Sequence, residues 1–270
     1  MQERIITLYC LSDEVLKASG FIALPGTAMS TAEVMTTALV AADLFEGGFE
    51  RSRSFLPSHG SIPHLLSKSR FHRRLPALPE HLWQRLFSLL SAAAIHANRT
   101  REYLVDSCPV PACDNIRLRR CHLYRGEASR GSLASKQRSF FGLRIHLLVT
   151  ATGPPVEFGL APGAQAAITA FKTLPLDVPP GSTLYADAAY PDYDWEDLVE
   201  AGPRLHLVVP PKTNAKRTMP RALRYRCHST RKRVETTFRQ ITSSFARTLR
   251  AVSSRCFELK ICLAILTFAI

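Results

Sequence analysis

TLYADAAYPD, residues 183–192, follows the breaker Pro179-Pro180-Gly181 and opens with a short apolar run that ends on Asp187. Punctuation of this kind before such a run predicts a buried strand, with Asp187 at its carboxyl edge. A second stretch of the same design stands earlier. Tyr103-Leu104-Val105-Asp106 reads as a short strand that stops in the turn residues Ser107 and Pro109, with Asp106 at its edge. In open α/β sheets the carboxyl ends of strands are where loops diverge and leave a crevice for ligands. Two acids at two such ends therefore mark a candidate site.

Working outward, FFGLRIHLLVT (140–150) reads as a strand, Thr152-Gly153-Pro154-Pro155 as a turn, and the alternation Val156, Phe158, Leu160 as a returning strand. A short helix is expected over 164–174, another over 192–201, and a fifth strand over 205–209. The acids Asp192, Asp194, Glu196 and Asp197 then sit where a helix dipole favours them. A long helix is expected from about Ser229 to Leu249, because Val234, Phe238, Ile241, Phe245 and Leu249 recur at helical spacing. Glu235 lies beside that stripe and can lean over the sheet edge. Residues 101–270 thus predict an α/β domain, a five-stranded mixed sheet flanked by helices.

Residues 1–100 read as a helical N-terminal region. Ser30 with Glu33 forms a capping box ahead of VMTTALVAADLF, Gly47-Gly48 stops that helix, and a further helix starts at Pro79-Glu80. The basic stretch Arg51 to Arg74, broken by Pro57, Gly60 and Pro63, is expected to be loop with a short helix. The region fits DNA-end binding or dimerisation, and the sequence does not separate the two. The chain stops at Ile270 inside an apolar helix without a cap, which reads as a truncated C-terminus.

Thirty-five Lys and Arg against 22 Asp and Glu give a formal charge of +13. From Lys212 to Arg255 there are 13 basic residues and one acid, Glu235, a concentration that points to a polyanionic partner such as nucleic acid. Seven irregularly spaced cysteines exclude a small disulfide scaffold, and no run is long and apolar enough for a membrane span. Cys108, Cys113, Cys121 and His122 lack paired knuckle spacing and read as thiols rather than a zinc site. Three carboxylates converging alone would repel one another, whereas a hard cation such as Mg²⁺ or Mn²⁺ prefers such oxygens. Two ions suit in-line displacement at phosphorus. Asp106, Asp187 and Glu235 are therefore the candidate catalytic residues and metal ligands, probed against Asp114 as an alternative first acid. Arg231, Arg233, Arg239, Lys212, Lys216 and Arg217 are the candidate DNA contacts.

VDSCPVPACDN (105–115), FFGLRIHLLVTATGPP (140–155), TLYADAAYPD (183–192) and RKRVETTFRQI (231–241) resemble the successive motifs of bacterial insertion-sequence transposases of the DDE class. The resemblance implies a ribonuclease-H-like core, with Asp106, Asp187 and Glu235 on the family's catalytic positions. It also implies metal-dependent strand cleavage and strand transfer at terminal inverted repeats, DNA ends and target as partners, a homodimer or larger synaptic complex, and a cytoplasmic, nucleoid-associated location. The chain departs from the family pattern in several places. Ala188-Ala189 follow the second Asp, His228 stands in place of a Tyr, and Thr242 in place of a Lys. Two other readings stay open at this point: an inactive transposon remnant that only binds DNA, and a host nuclease of the same fold.

Overall fold

The computed structural model describes the whole chain except residues 23–26, 115–120, 134–136, 212–217, 246–248 and 250, and the side chain of Asp114. It divides into two compact units, Met1–Leu90 with Gln240–Ile270, and Ser91–Arg239. The first is helical: α1 (Gln2–Ala18), α2 (Thr31–Leu44), α3 (Phe49–Ser58), α4 (Lys68–Ala77), the start of α5 (Glu80–Ala97), and α9 (Ser254–Ala269), the last helix of the chain. The capping box is formed: Glu33 N–H donates to Ser30 Oγ at 3.1 Å, and Ser30 N–H donates to Glu33 Oε2 at 2.6 Å. Small and apolar residues from Thr31 to Ala42 are buried nearly all round α2, which makes it the central rod of this unit. Arg4 ties three helices together. It donates to both carboxylate oxygens of Asp43, at 3.0 and 3.1 Å, and to the Thr267 carbonyl at 2.9 Å. The stretch expected to be loop with a short helix carries two helices, most of α3 and of α4, with a loop between them. Pro57 and Pro76 each fall in a last turn, where the i→i−4 bond each one removes and the kink it causes come as the helix is already ending.

The second unit carries β1 (Glu102–Asp114), β2 (Arg130–Leu133), β3 (Arg138–Thr150), β4 (Pro155–Pro162), β5 (Thr183–Tyr185) and β6 (His206–Val208), with α6 (Ala167–Phe171), α7 (Tyr193–Ala201) and most of α8 (Arg221–Ser243). The six strands form one mixed sheet in the order β2-β3-β1-β5-β6, with β4 also on β3. The first, third and fourth strands run antiparallel, while β1, β5 and β6 are parallel. Five of these strands are those expected from sequence. The sixth, β2, extends the edge of β3 beyond β4, pairing Arg130–Leu133 with Arg138–Phe141. One face is covered by a cluster in which Tyr103, Val105 and Leu148 meet Phe171, Leu174, Tyr190 and Val199.

β1 runs much further than the apolar stretch 103–106 suggests, straight through Pro109 and Pro111. The pairing explains it. β5 covers only Glu102–Leu104, so beyond that point β1 has a ladder on the β3 side alone. Prolines are tolerated on a strand with one free edge, because a missing N–H there breaks no bond. The register to β3 shifts between Pro111 and Cys113, where Gly142 with φ 159° approaches closely enough that a Cβ would meet the Val110 carbonyl at 2.4 Å. α8 begins eight residues before the expected Ser229, at Arg221, since Pro220 ends the preceding segment and Ala-Leu-Arg supply helix formers. It stops at Ser243, leaving Phe245 and Leu249 beyond it.

His146 sits mid-strand in β3, paired with Ser107 on one side and Gly159 on the other, and is 1% exposed. Neither ring nitrogen has a hydrogen-bond partner. Burial, with the nearby Arg144 charge, lowers its pKa to about 4, so the imidazole is neutral at ordinary pH. An unfolded chain takes up this proton near 6.5 while the folded one resists, so stability falls as pH drops from there through about 4. His146→Leu removes that liability. Urea unfolding of both proteins is expected to show the variant gaining about 2 kcal/mol on wild type between pH 7.5 and pH 5. A pH-independent difference would mean that His146 titrates normally.

Candidate active site

The site is set by strand register. β1 and β5 pair in parallel, with Leu104 opposite Tyr185 as the last pair. Asp106 and Asp187 each lie two residues beyond it, so both stand just past the end of the β1–β5 ladder, on neighbouring segments and at the same step of the pleat. β1 itself continues along β3, so Asp106 is not at its end as expected. The strands separate there because β5 stops, which opens the crevice between them. The third acid arrives on α8. Val234 and Phe238 are buried and fix the helix, Thr237 donates its hydroxyl to the Gly153 carbonyl at 3.2 Å, and Arg233 donates to the Thr152 carbonyl. Glu235 is left exposed on the adjoining face, close enough to raise the Asp106 pKa.

Asp106 is held in place by the Ser107 N–H, which donates to Oδ1 at 2.7 Å. Its pKa is nevertheless raised to about 6. Burial is the main cause, and the Asp187 and Glu235 charges push the same way against Ser107 and Arg231. Asp187 accepts from the Ala188 N–H at 2.5 Å and is gripped by Arg231, whose two terminal nitrogens lie 3.0 Å from its two oxygens. This two-pronged pair is the strongest cation contact in the cluster. Tyr190 is buried edge-on against Phe171, with ring centroids 5.5 Å apart. Burial and the Asp106 charge keep its phenol protonated, so it can only meet a polar group as a neutral hydroxyl.

Of the six expected DNA contacts, Arg231 is turned onto Asp187 and Arg233 onto the Thr152 carbonyl, both on α8. Arg239 is exposed further along that helix. Lys212, Lys216 and Arg217 lie outside the described residues. Asp114, at the far end of β1, pairs with Phe140, eight residues past Asp106. Two features went unassigned in the sequence. The Arg231–Asp187 pair joins residues 44 apart, which no local pattern encodes. The other is a cavity of about 730 Å³ lined by Asp106, Asp187 and Tyr190 together with Arg144 and Arg130.

The donor set of this cluster is carboxylate oxygen throughout, which suits Mg²⁺ or Mn²⁺ rather than a soft metal. The raised pKa of Asp106 comes first from burial, which a bound cation would offset by favouring the charged form. In this structure Arg231 is the cation on Asp187. Among the described residues no three His, Cys, Asp or Glu side chains stand in a ready metal-binding cluster, and no helix is long and apolar enough to cross a membrane.

Residues 98–270 match the family described as the transposase DDE domain. No curated protein and no solved structure matches the chain.

The Asp106 carboxyl also has a stability consequence. The unfolded group ionises near 3.8 and the folded one near 6, so stability is greatest at low pH and is lost as pH rises through that window. Asp106→Asn is expected to gain about 2 kcal/mol on wild type at pH 7.5 relative to pH 4, read from urea unfolding in metal-free buffer. An equal difference at both values would place Asp106 in an ordinary, solvated setting.

Proposed function

The chain belongs to the transposase DDE domain family, and from that premise we propose that it cuts and rejoins DNA strands at the terminal inverted repeats of an insertion sequence. The observation that carries this reading is the shared register of Asp106 and Asp187, which aligns two carboxylates at the open end of the sheet with Glu235 on the facing helix. Asp106 and Asp187 would hold one divalent ion and Glu235 would complete a second site. Bound Mg²⁺ or Mn²⁺ supplies Lewis acidity that activates a water or 3′-hydroxyl and eases departure of the leaving oxygen. The protein's own part is positional. The Ser107 and Ala188 N–H groups orient the two carboxylates, and the buried stripe of α8 fixes where Glu235 stands. Arg231, with Arg233 and Arg239 on the same helix, would take DNA phosphates. A charge of +13 draws the chain to DNA, in the cytoplasm at the nucleoid, and two element ends call for a homodimer or larger synaptic complex.

The test is cleavage of a labelled duplex carrying the terminal repeat of the encoding element, with Mg²⁺ added or withheld. Wild type is expected to nick at the repeat end and join the freed 3′-end to target DNA. Asp187→Ala and Glu235→Gln are each expected to lose activity by roughly a thousandfold or more. Cleavage without joining would instead support a host nuclease. DNA binding with no cleavage by wild type would support an inactive remnant.

Arg231 and a metal ion compete for Asp187 on this reading. In calorimetric Mn²⁺ titrations without DNA, Arg231→Gln is therefore expected to bind about fivefold tighter than wild type. Weaker binding by the variant would make Arg231 a support of the metal site, not its competitor.

A further inference from the structure

Arg144 projects from β3 on the sheet face shared by Ser107 and His146. Its guanidinium is held by main-chain carbonyls alone: Nε donates to Gly163 at 3.3 Å and one terminal nitrogen to Ser132 at 2.9 Å. The Phe140 ring lies under it, 5.9 Å from centroid to Cζ. These carbonyls are brought close by two glycines. A Cβ on Gly131 would lie 2.7 Å from the Gly163 oxygen, and one on Gly163 would lie 2.5 Å from the Ser129 oxygen. The backbone here is packed to present oxygens to a guanidinium.

No carboxylate pairs with Arg144 among the described residues. The titratable groups that feel its charge, Cys108, His146 and Tyr190, are all held neutral by burial. A fixed, half-buried cation without a counter-ion is unfavourable unless an anion arrives from outside. The cavity it lines is about 730 Å³ and is lined also by Asp106, Asp187 and small residues such as Gly131, Gly163 and Ala164. That volume suits one nucleotide-sized ligand and excludes a duplex. A guanidinium with a free edge binds phosphate oxygens in the planar, two-pronged manner that favours Arg over Lys.

We infer that Arg144 is a substrate-binding residue, taking the phosphate next to the one that is cut, while the cavity receives the sugar of that nucleotide. The inference rests on the reading of Asp106 and Asp187 as the reaction centre, since it is their place in the same cavity that makes the bound phosphate a neighbour of the scissile one. Arg144 thus sets where along the strand the carboxylates act.

The test measures binding of a fluorescent duplex carrying the terminal repeat with a single-stranded 3′-extension, across a KCl series in metal-free buffer. Arg144→Gln is expected to lower the slope of log affinity against log salt by about 1, as loss of one phosphate contact requires. Arg144→Lys is expected to keep the slope and lose affinity about threefold, because it keeps the charge and loses the fork. Ala164→Phe fills the cavity from an exposed position that the fold tolerates, and is expected to weaken binding about tenfold with Arg144 intact. Wild-type slope and affinity in Arg144→Gln would overturn the inference. If that variant does not fold, unchanged affinity in Ala164→Phe does so. Wild type that binds and cuts DNA beside indifferent variants would sink this inference alone. Wild type that binds no DNA would sink the proposed function and this inference with it.

Discussion

The parallel pairing of β1 with β5 is three residues long, and the site depends on where it stops. Ending at Leu104 and Tyr185, it sends Asp106 and Asp187 out side by side. A slip of one residue between the strands would turn one acid toward the opposite face, because side chains alternate along a strand. The register is secured behind the acids by apolar burial, with Tyr103 and Leu184 both fully buried as a cross-strand pair. It is secured in front of them by polar contacts: the Tyr185 hydroxyl donates to Glu102 at 3.1 Å, and Arg226 of α8 pairs with the same carboxylate. The helix that brings Glu235 is thereby tied to the strand pair that brings the other two acids.

Three carboxylates near enough to feel one another have an electrostatic cost, and the protein spreads it unevenly. Asp187 is given a fixed counter-ion in Arg231, Glu235 is left in solvent, and Asp106 bears the strain, buried with only one N–H and a second-hand share of Arg231. Arg231 and Glu235 are one turn apart on α8, so the same helical face delivers the charge that completes the acidic cluster and the charge that tempers it. This spacing offsets part of the cost within α8 itself and leaves Asp187 engaged by Arg231.

Much of this was legible in the sequence, for reasons that can be located. The apolar runs before Asp106 and Asp187 marked where β1 and β5 lie, though β1 does not end at Asp106, and the stripe Val234 and Phe238 gave the buried side of α8, because burial imposes a period on the residues themselves. What was hidden was set by neighbours distant in sequence. Pro109 and Pro111 look like the end of a strand, and only the absence of β5 alongside permits β1 to continue through them. Arg-Gly-Ser-Leu has no alternation to mark it as β2, which exists because the free edge of β3 accepts it. The basic residues around Arg221 suggest a solvated loop, yet the solvated side of a helix has the same composition.

The distribution of arginines separates two uses of positive charge that net charge cannot. On α8 the basic side chains border solvent, and their contacts to Asp187, Glu102 and the Thr152 carbonyl are ones that salt screens and that a polyanion could replace. Arg144 is different in kind. Two main-chain carbonyls and an aromatic ring hold it in one position, which costs desolvation but leaves little conformational freedom to lose on binding. Cations of the first sort supply affinity along a strand. A cation of the second sort lines the same cavity as Asp106 and Asp187, and on the proposed reading it would define where along a strand the carboxylates act.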